Sequence, residues 1–164
     1  MESFHDYVNE YRKQLGKGYI KEAYRGLMEY MMDLRTHFKN KYPDYYVSGS
    51  IYHGYMDMTY FAFFPESLKR RKLKVAIVFI HDTLTFQMYL IGYNKNVSKK
   101  YWESFKESNW NKYPIAPTTK DPDYVIDHIL IKNPDFNNLD ALTMQIEKGT
   151  LSFIKDIENF LSAH

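Results

Sequence analysis

The sequence predicts an α+β fold: an antiparallel β-meander of three to five strands packed against an N-terminal αα-hairpin and a long C-terminal helix. Three observations predict it. Apolar residues recur at three- and four-residue steps before Pro43 and again near the C-terminus. Between these regions the pattern changes to a period of two, with β-branched and aromatic residues enriched. No strand–helix–strand alternation appears, which argues against a doubly wound parallel sheet.

The elements follow in order. Phe4, Tyr7, Val8, Tyr11 and Leu15 form one helical stripe, which Gly16-Lys17-Gly18 breaks. Ile20, Tyr24, Leu27, Met28, Met31, Leu34 and Phe38 form a longer and wider one; its Met and Tyr members read as core rather than as a cofactor site. Pro43 disfavours helix at Tyr42 and ends it. Residues 45–51 read as a short strand, Tyr52-His53-Gly54 as a turn or bulge, and residues 56–64 as a longer strand closed by Pro65. Residues 66–72 are a charged connection. Residues 73–81 are apolar on both faces, as a central strand requires, and Asp82-Thr83 turns the chain back through residues 84–93. On that pairing Val75, Ile77 and Phe79 are expected to be buried. Ser98 reads as the N-cap of a helix through about Ser108. Residues 109–123 form a polar loop with Pro114, Pro117 and Pro122. Residues 125–131 fit either helix or edge strand. The chain closes with Leu139, Leu142, Ile146, Phe153, Ile157 and Phe160 on one long helix, with Gly149 as a candidate interruption.

Length and composition set the bounds. At 164 residues the chain fits one domain, 1–164, with a sizeable core. The 16 Tyr and 11 Phe are a high share, and tyrosine combines ring area with a polar tip, so half-buried rims, interfaces or pockets are expected. A net charge of +2 supplies no field for nucleic acid or an anionic membrane. With no cysteine, disulfides, thiolate catalysis and Cys-ligated metals are excluded, which suits a cytoplasmic protein. The start is charged and amphipathic, unlike a secretory signal, and no apolar run approaches the ~20 residues of a membrane helix.

Candidate chemistry centres on "MDMTYFAFF", residues 56–64, where Asp57 is the one charge. A carboxylate in an apolar strand is costly unless paired or exposed. Asp57 therefore marks either a strand end, solvated or bonded to a turn, or the polar edge of a pocket. On the returning strand Thr85, Gln87, Tyr89 and Tyr93 share one face, while Phe86, Met88 and Leu90 share the other. His53 and His81 fall near strand ends, and His81-Asp82 sits at a hairpin turn, where an imidazole beside carboxylates could act as a base. No HExxH or comparable spacing calls for a metal, and no motif calls for a cofactor. "VSGSIYHG" lacks both the serine elbow and the Lys-Ser/Thr of a phosphate loop. "KRRKLK", residues 69–74, reads as a solvated loop that blunts a sheet edge.

The run "DMTYFAFFPESLKRRKLKVAIVFIHDTLTFQMYLIGYNK", with "LRTHFKNKYPDYYVSGS" before it and "NPDFNNLDALTMQIEKGTLSFIKDIENFL" after it, resembles a family of small prokaryotic single-domain proteins of unknown function. The resemblance runs nearly end to end and implies no activity, cofactor or catalytic residue. Two functional readings stand. The first is a non-catalytic module that binds a small ligand or another protein, with a second copy of the chain among the candidates, through an aromatic-rich sheet face. Asp57, Tyr55, Gln87, Tyr89, Tyr93, His53 and His81 are its candidate contacts. The alternative is a small hydrolase or nuclease using Asp57 with His81 and Asp82.

Overall fold

A computed structural model describes residues 2–117 and 123–164. Two helices open it, α1 (Phe4–Gly16) and α2 (Tyr19–Lys41), followed by strands β1 (Tyr46–Val47) and β2 (Met58–Phe64). A short helix α3 (Glu66–Arg70) leads into the hairpin β3 (Leu73–Ile80) and β4 (Thr85–Gly92). Helix α4 (Lys95–Glu107), strand β5 (Ile126–Ile131) and helix α5 (Leu139–Ala163) complete the chain. The strands lie in the order β1-β2-β3-β4-β5, every neighbouring pair antiparallel, so the sheet is a meander with β3 at its centre.

The β3–β4 hairpin pairs Leu73 with Gly92 and Ile80 with Thr85, and it buries Val75, Ile77 and Phe79 completely, as the sequence predicts. Because side chains alternate, Thr59, Phe61 and Phe63 of β2, the odd residues of β3, and Phe86, Met88 and Leu90 of β4 all face one way. Helices α2, α4 and α5 cover that face. Phe38 of α2 lies 4.6 Å, ring centre to ring centre, from Phe63. Thr150 of α5 reaches the Met88 sulfur, and Phe105 of α4 stacks on Phe160 of α5 at 4.0 Å. Among the described residues the opposite face carries no helix.

Several boundaries differ from the sequence reading, each for a local reason. The strand expected at 45–51 shrinks to Tyr46–Val47, and Tyr52 pairs separately with Tyr60 as an isolated bridge. The strand expected from residue 56 begins at Met58, because Met56 adopts φ 64° and the Asp57 carboxylate closes a turn. The charged connection contains α3. Helix α4 starts earlier than Ser98: Asn94 is the cap and accepts from the Val97 N–H at 2.9 Å. Ser98 is buried within the helix and accepts the Gly92 N–H at 2.8 Å. Of residues 125–131, Ile126–Ile131 resolve as strand paired with β4, and the Val125 N–H before it donates to the Leu90 carbonyl. Pro122, of the loop expected at 109–123, lies outside the described residues. Gly149 does not interrupt α5. It lets the helix approach β5, where a Cβ would stand 2.1 Å from a Leu130 methyl.

The basic run is also more than a solvated loop. Lys69 and Arg70 end α3, but the Arg71 guanidinium donates to the Leu161 carbonyl in the last turn of α5 at 3.0 Å. A cation there satisfies a carbonyl that the helix leaves without an internal partner and meets the negative end of its dipole.

Candidate functional site

The helix-free face of the sheet is built by the even residues of β2 and β3 and the odd residues of β4 and β5. Ala76 and Val78 form its floor at the centre. Tyr60 of β2 and Tyr89 of β4 flank them, and Tyr124, just before β5, meets Tyr89 edge to face at 4.9 Å. Tyr52 extends the row from Tyr60, with rings 4.9 Å apart. The result is an open groove of about 260 Å³ with an apolar floor and phenol walls. β3 supplies only small aliphatic side chains here, and that is why the rings on either side leave a depression.

Charge at the groove is negative on the β5 side. Asp123 lies on its lining, and Asp127 pairs across the ladder with Tyr89. Burial pushes the Tyr89 and Tyr124 phenols up, and Asp127 adds to both shifts. Asp127 is itself raised by burial. A desolvated carboxylate next to electron-rich ring faces favours a positive group.

Tyr89 is fixed by a chain of hydrogen bonds along β4. Its hydroxyl donates to Gln87 Oε1 at 3.0 Å, and Gln87 Nε2 donates to Thr85 Oγ1 at 3.0 Å. Thr85 Oγ1 lies 2.8 Å from Thr83 Oγ1. The phenol proton is thereby committed, and the Tyr89 oxygen presents lone pairs to the groove.

The structure brings only some of the sequence-predicted residues together. Gln87 and Tyr89 line or support the groove. Tyr93 stands farther along the same face, 71% exposed, with the Lys74 ammonium 6.0 Å from its ring centre. Tyr55 is almost wholly exposed and contributes its backbone N–H to the Asp57 turn.

Asp57, His53 and His81 form a separate cluster where β2 starts and β3 ends. Asp57 Oδ1 accepts from the Tyr55 N–H at 2.9 Å and the Met58 N–H at 2.7 Å, and these bonds, Tyr55 first, hold its carboxyl below the usual range. The Thr59 hydroxyl donates to the His53 carbonyl at 2.7 Å, so its oxygen is left to accept from His81 Nε2 at 2.8 Å. That assigns the Nε2–H tautomer to His81. Burial pushes the imidazole below its ordinary value, with Asp57 and Asp82 pulling partly the other way. Thus the Asp57 carboxylate is engaged by backbone amides and the His81 Nε2 proton by Thr59. The cluster pins the start of β2 to the end of β3. Among the described residues no group of three or more His, Asp or Glu side chains is placed to hold a metal ion.

Sequence reasoning missed two sets of residues. Tyr60 was within reach, since period-two alternation sets it on the face opposite Thr59, where it pairs with Val78. Tyr52, Tyr124 and Asp127 depend on pairings that no local pattern encodes. The second set is a charged cluster between helices. Glu147 of α5, 8% exposed, accepts from Lys41 Nζ at 2.8 Å, from the Tyr42 hydroxyl at 2.5 Å and from His37 Nε2 at 3.1 Å. Burial pushes its carboxyl up, but the three donors, Lys41 foremost, more than offset that and hold it at about 2. Tyr42 is pushed up to about 12 by burial and by this carboxylate. Every polar atom of Glu147 is satisfied within the cluster, which makes it a clamp joining α2 to α5.

A five-stranded antiparallel meander with helices on one face and an open tyrosine groove on the other defines an α+β domain, a form that does not by itself fix a function. By sequence the chain matches, over residues 4–161, the family described as a domain of unknown function (DUF7000), and it belongs to that family. No curated protein matches it. No solved structure matches it either. Among the described residues no helix is long and apolar enough to cross a membrane.

Proposed function

We propose that this protein is a non-catalytic cytoplasmic binding module whose open sheet face takes a small organic cation with an apolar body. One observation carries the reading: Ala76 and Val78 make an apolar floor, walled by Tyr60, Tyr89 and Tyr124, with Asp123 on the lining and the half-buried Asp127 carboxylate acting on Tyr89 and Tyr124 from the neighbouring strand. Phenol faces attract a cation within about 6 Å of the ring centre, more strongly once water is excluded, and the carboxylate adds direct pairing. The absence of cysteine supports the reducing compartment.

The site contributes recognition without a reacting group. Tyr60 and Tyr124 offer ring faces, and the Tyr89 oxygen, its proton given to Gln87, accepts an ammonium N–H. Asp127 pairs with the charge. Binding then favours ionised Asp127, so affinity weakens as pH falls through the carboxylate range.

Calorimetric titration with phenethylammonium, with neutral phenylethanol as control, tests this. The expected result is saturable binding of the ammonium compound, at least tenfold weaker in Asp127→Asn and Tyr89→Ala, and little binding of the alcohol. Equal affinity for the two compounds, or binding indifferent to both substitutions, refutes the reading.

A further inference from the structure

Among the helices of the described residues, α1 is the one with no buried residue. Ser3 and Asp6 close a capping box at its start, the Ser3 hydroxyl accepting the Asp6 N–H and the Asp6 carboxylate accepting the Ser3 N–H, so the helix is well specified. Yet Phe4 is 83% exposed and Tyr11 61%. The apolar positions Phe4, Val8, Tyr11 and Leu15 step by four, three and four. That is the spacing of a two-helix coiled-coil seam, and Tyr7, 59% exposed, flanks it.

We infer that α1 is a dimerisation helix, its seam paired antiparallel with the α1 of a second copy of this chain. Charge selects this occupant and its orientation. Glu2, Asp6 and Glu10 lie in the first half with no Lys or Arg among them, while Arg12, Lys13 and Lys17 follow with no acid among them. An antiparallel pair sets each acidic half beside a basic half and opposes the two helix dipoles; a parallel pair sets like beside like.

The register follows from the seam. A two-fold axis between Asn9 and Glu10 places Val8 against the partner subunit's Tyr11, and Phe4 against the partner subunit's Leu15. Leu15 borders a crevice of about 340 Å³ between α1 and α2, lined also by Ile20, Tyr24 and Met56. Each copy therefore offers a ring at one end of α1 and a cleft at the other. The size is also adequate. At about 150–250 Å² per aromatic side chain, the exposed parts of Phe4, Tyr7 and Tyr11 amount to on the order of 300–500 Å² per copy. Val8, Ile20 and the crevice walls carry this toward the roughly 800 Å² per partner of a stable interface.

This inference is independent of the sheet groove, which lies on other elements. Sedimentation equilibrium of the full chain at micromolar concentration is expected to show a dimer. Phe4→Glu and Tyr11→Glu should each give a monomer with the near-ultraviolet dichroism of the core unchanged. Orientation is read by cross-linking, since the natural chain has no cysteine. Under oxidation, Phe4→Cys chains should cross-link with Leu15→Cys chains but not with one another. In the antiparallel register the two Phe4 positions are separated by eleven residues of helix, about 16 Å and beyond disulfide reach. A monomer at every concentration, a dimer indifferent to Tyr11→Glu, or Phe4→Cys self-cross-linking as efficient as the mixed pair overturns the inference.

Discussion

Replacing Glu147 by Gln keeps the shape of the α2–α5 clamp and removes its charge. The carboxyl is held at about 2 against an ordinary 4.5. At 1.36 kcal/mol per unit, that difference corresponds to roughly 3 kcal/mol of folding stability at neutral pH. The folded-state value is the depressed one, so the unfolded chain binds the proton more readily. The contribution is complete above about pH 5 and is lost as pH falls toward about 2. By the same linkage it amounts to about 1.5 kcal/mol at pH 3. The variant lacks this titration. Urea unfolding of the natural chain and of Glu147→Gln should therefore differ by roughly 3 kcal/mol at pH 7 and by about half of that at pH 3. A difference that stays constant between those two pH values refutes the reasoning, because it would mean that the clamp does not depend on the ionised carboxylate.

Four further substitutions test the corrections to the sequence reading. Arg71→Gln should cost about 0.5–1 kcal/mol in urea unfolding through loss of the bond to the Leu161 carbonyl, while Arg70→Gln stays within about 0.5 kcal/mol of the natural chain; equal effects would place both residues in solvent. Asp57→Asn should preserve the turn, since an amide oxygen accepts the same two N–H groups, whereas Asp57→Ala should speed hydrogen exchange at the Tyr55 and Met58 amides, and unchanged exchange in the Ala variant removes the structural role assigned to the carboxylate.

Legibility in the sequence tracked how local each determinant was. The β3–β4 hairpin was readable because a doubly apolar run, a turn and an alternating return strand all lie within one short stretch. The same alternation placed Gln87 and Tyr89 together on the face away from Phe86 and Met88. The start of β2 was not readable. A period-two pattern extends back through Met56, and only the side-chain-to-backbone bonds of Asp57 end it. The Ser98 assignment failed for a similar reason, since either Asn94 or Ser98 is an acceptable cap and the Gly92 contact decides between them. Glu147, His37, Lys41 and Tyr42 each look like ordinary helix-surface residues, and they meet only because α2 and α5 pack on the same sheet face from opposite ends of the chain. Tyr124 and Asp127 joined Tyr89 through the β4–β5 register, which residues 125–131 left undetermined between helix and strand.

On the proposed function, the helix-free sheet face binds an organic cation. The most direct test is a nuclear magnetic resonance titration of the full chain with phenethylammonium, following the tyrosine ring signals. Saturable shifts are expected at Tyr60, Tyr89 and Tyr124, fading as pH is lowered through the carboxylate range, with the rings of Tyr30 and Tyr42 on the helix side unmoved. Shifts confined to the helix side, or none at any concentration, would contradict it.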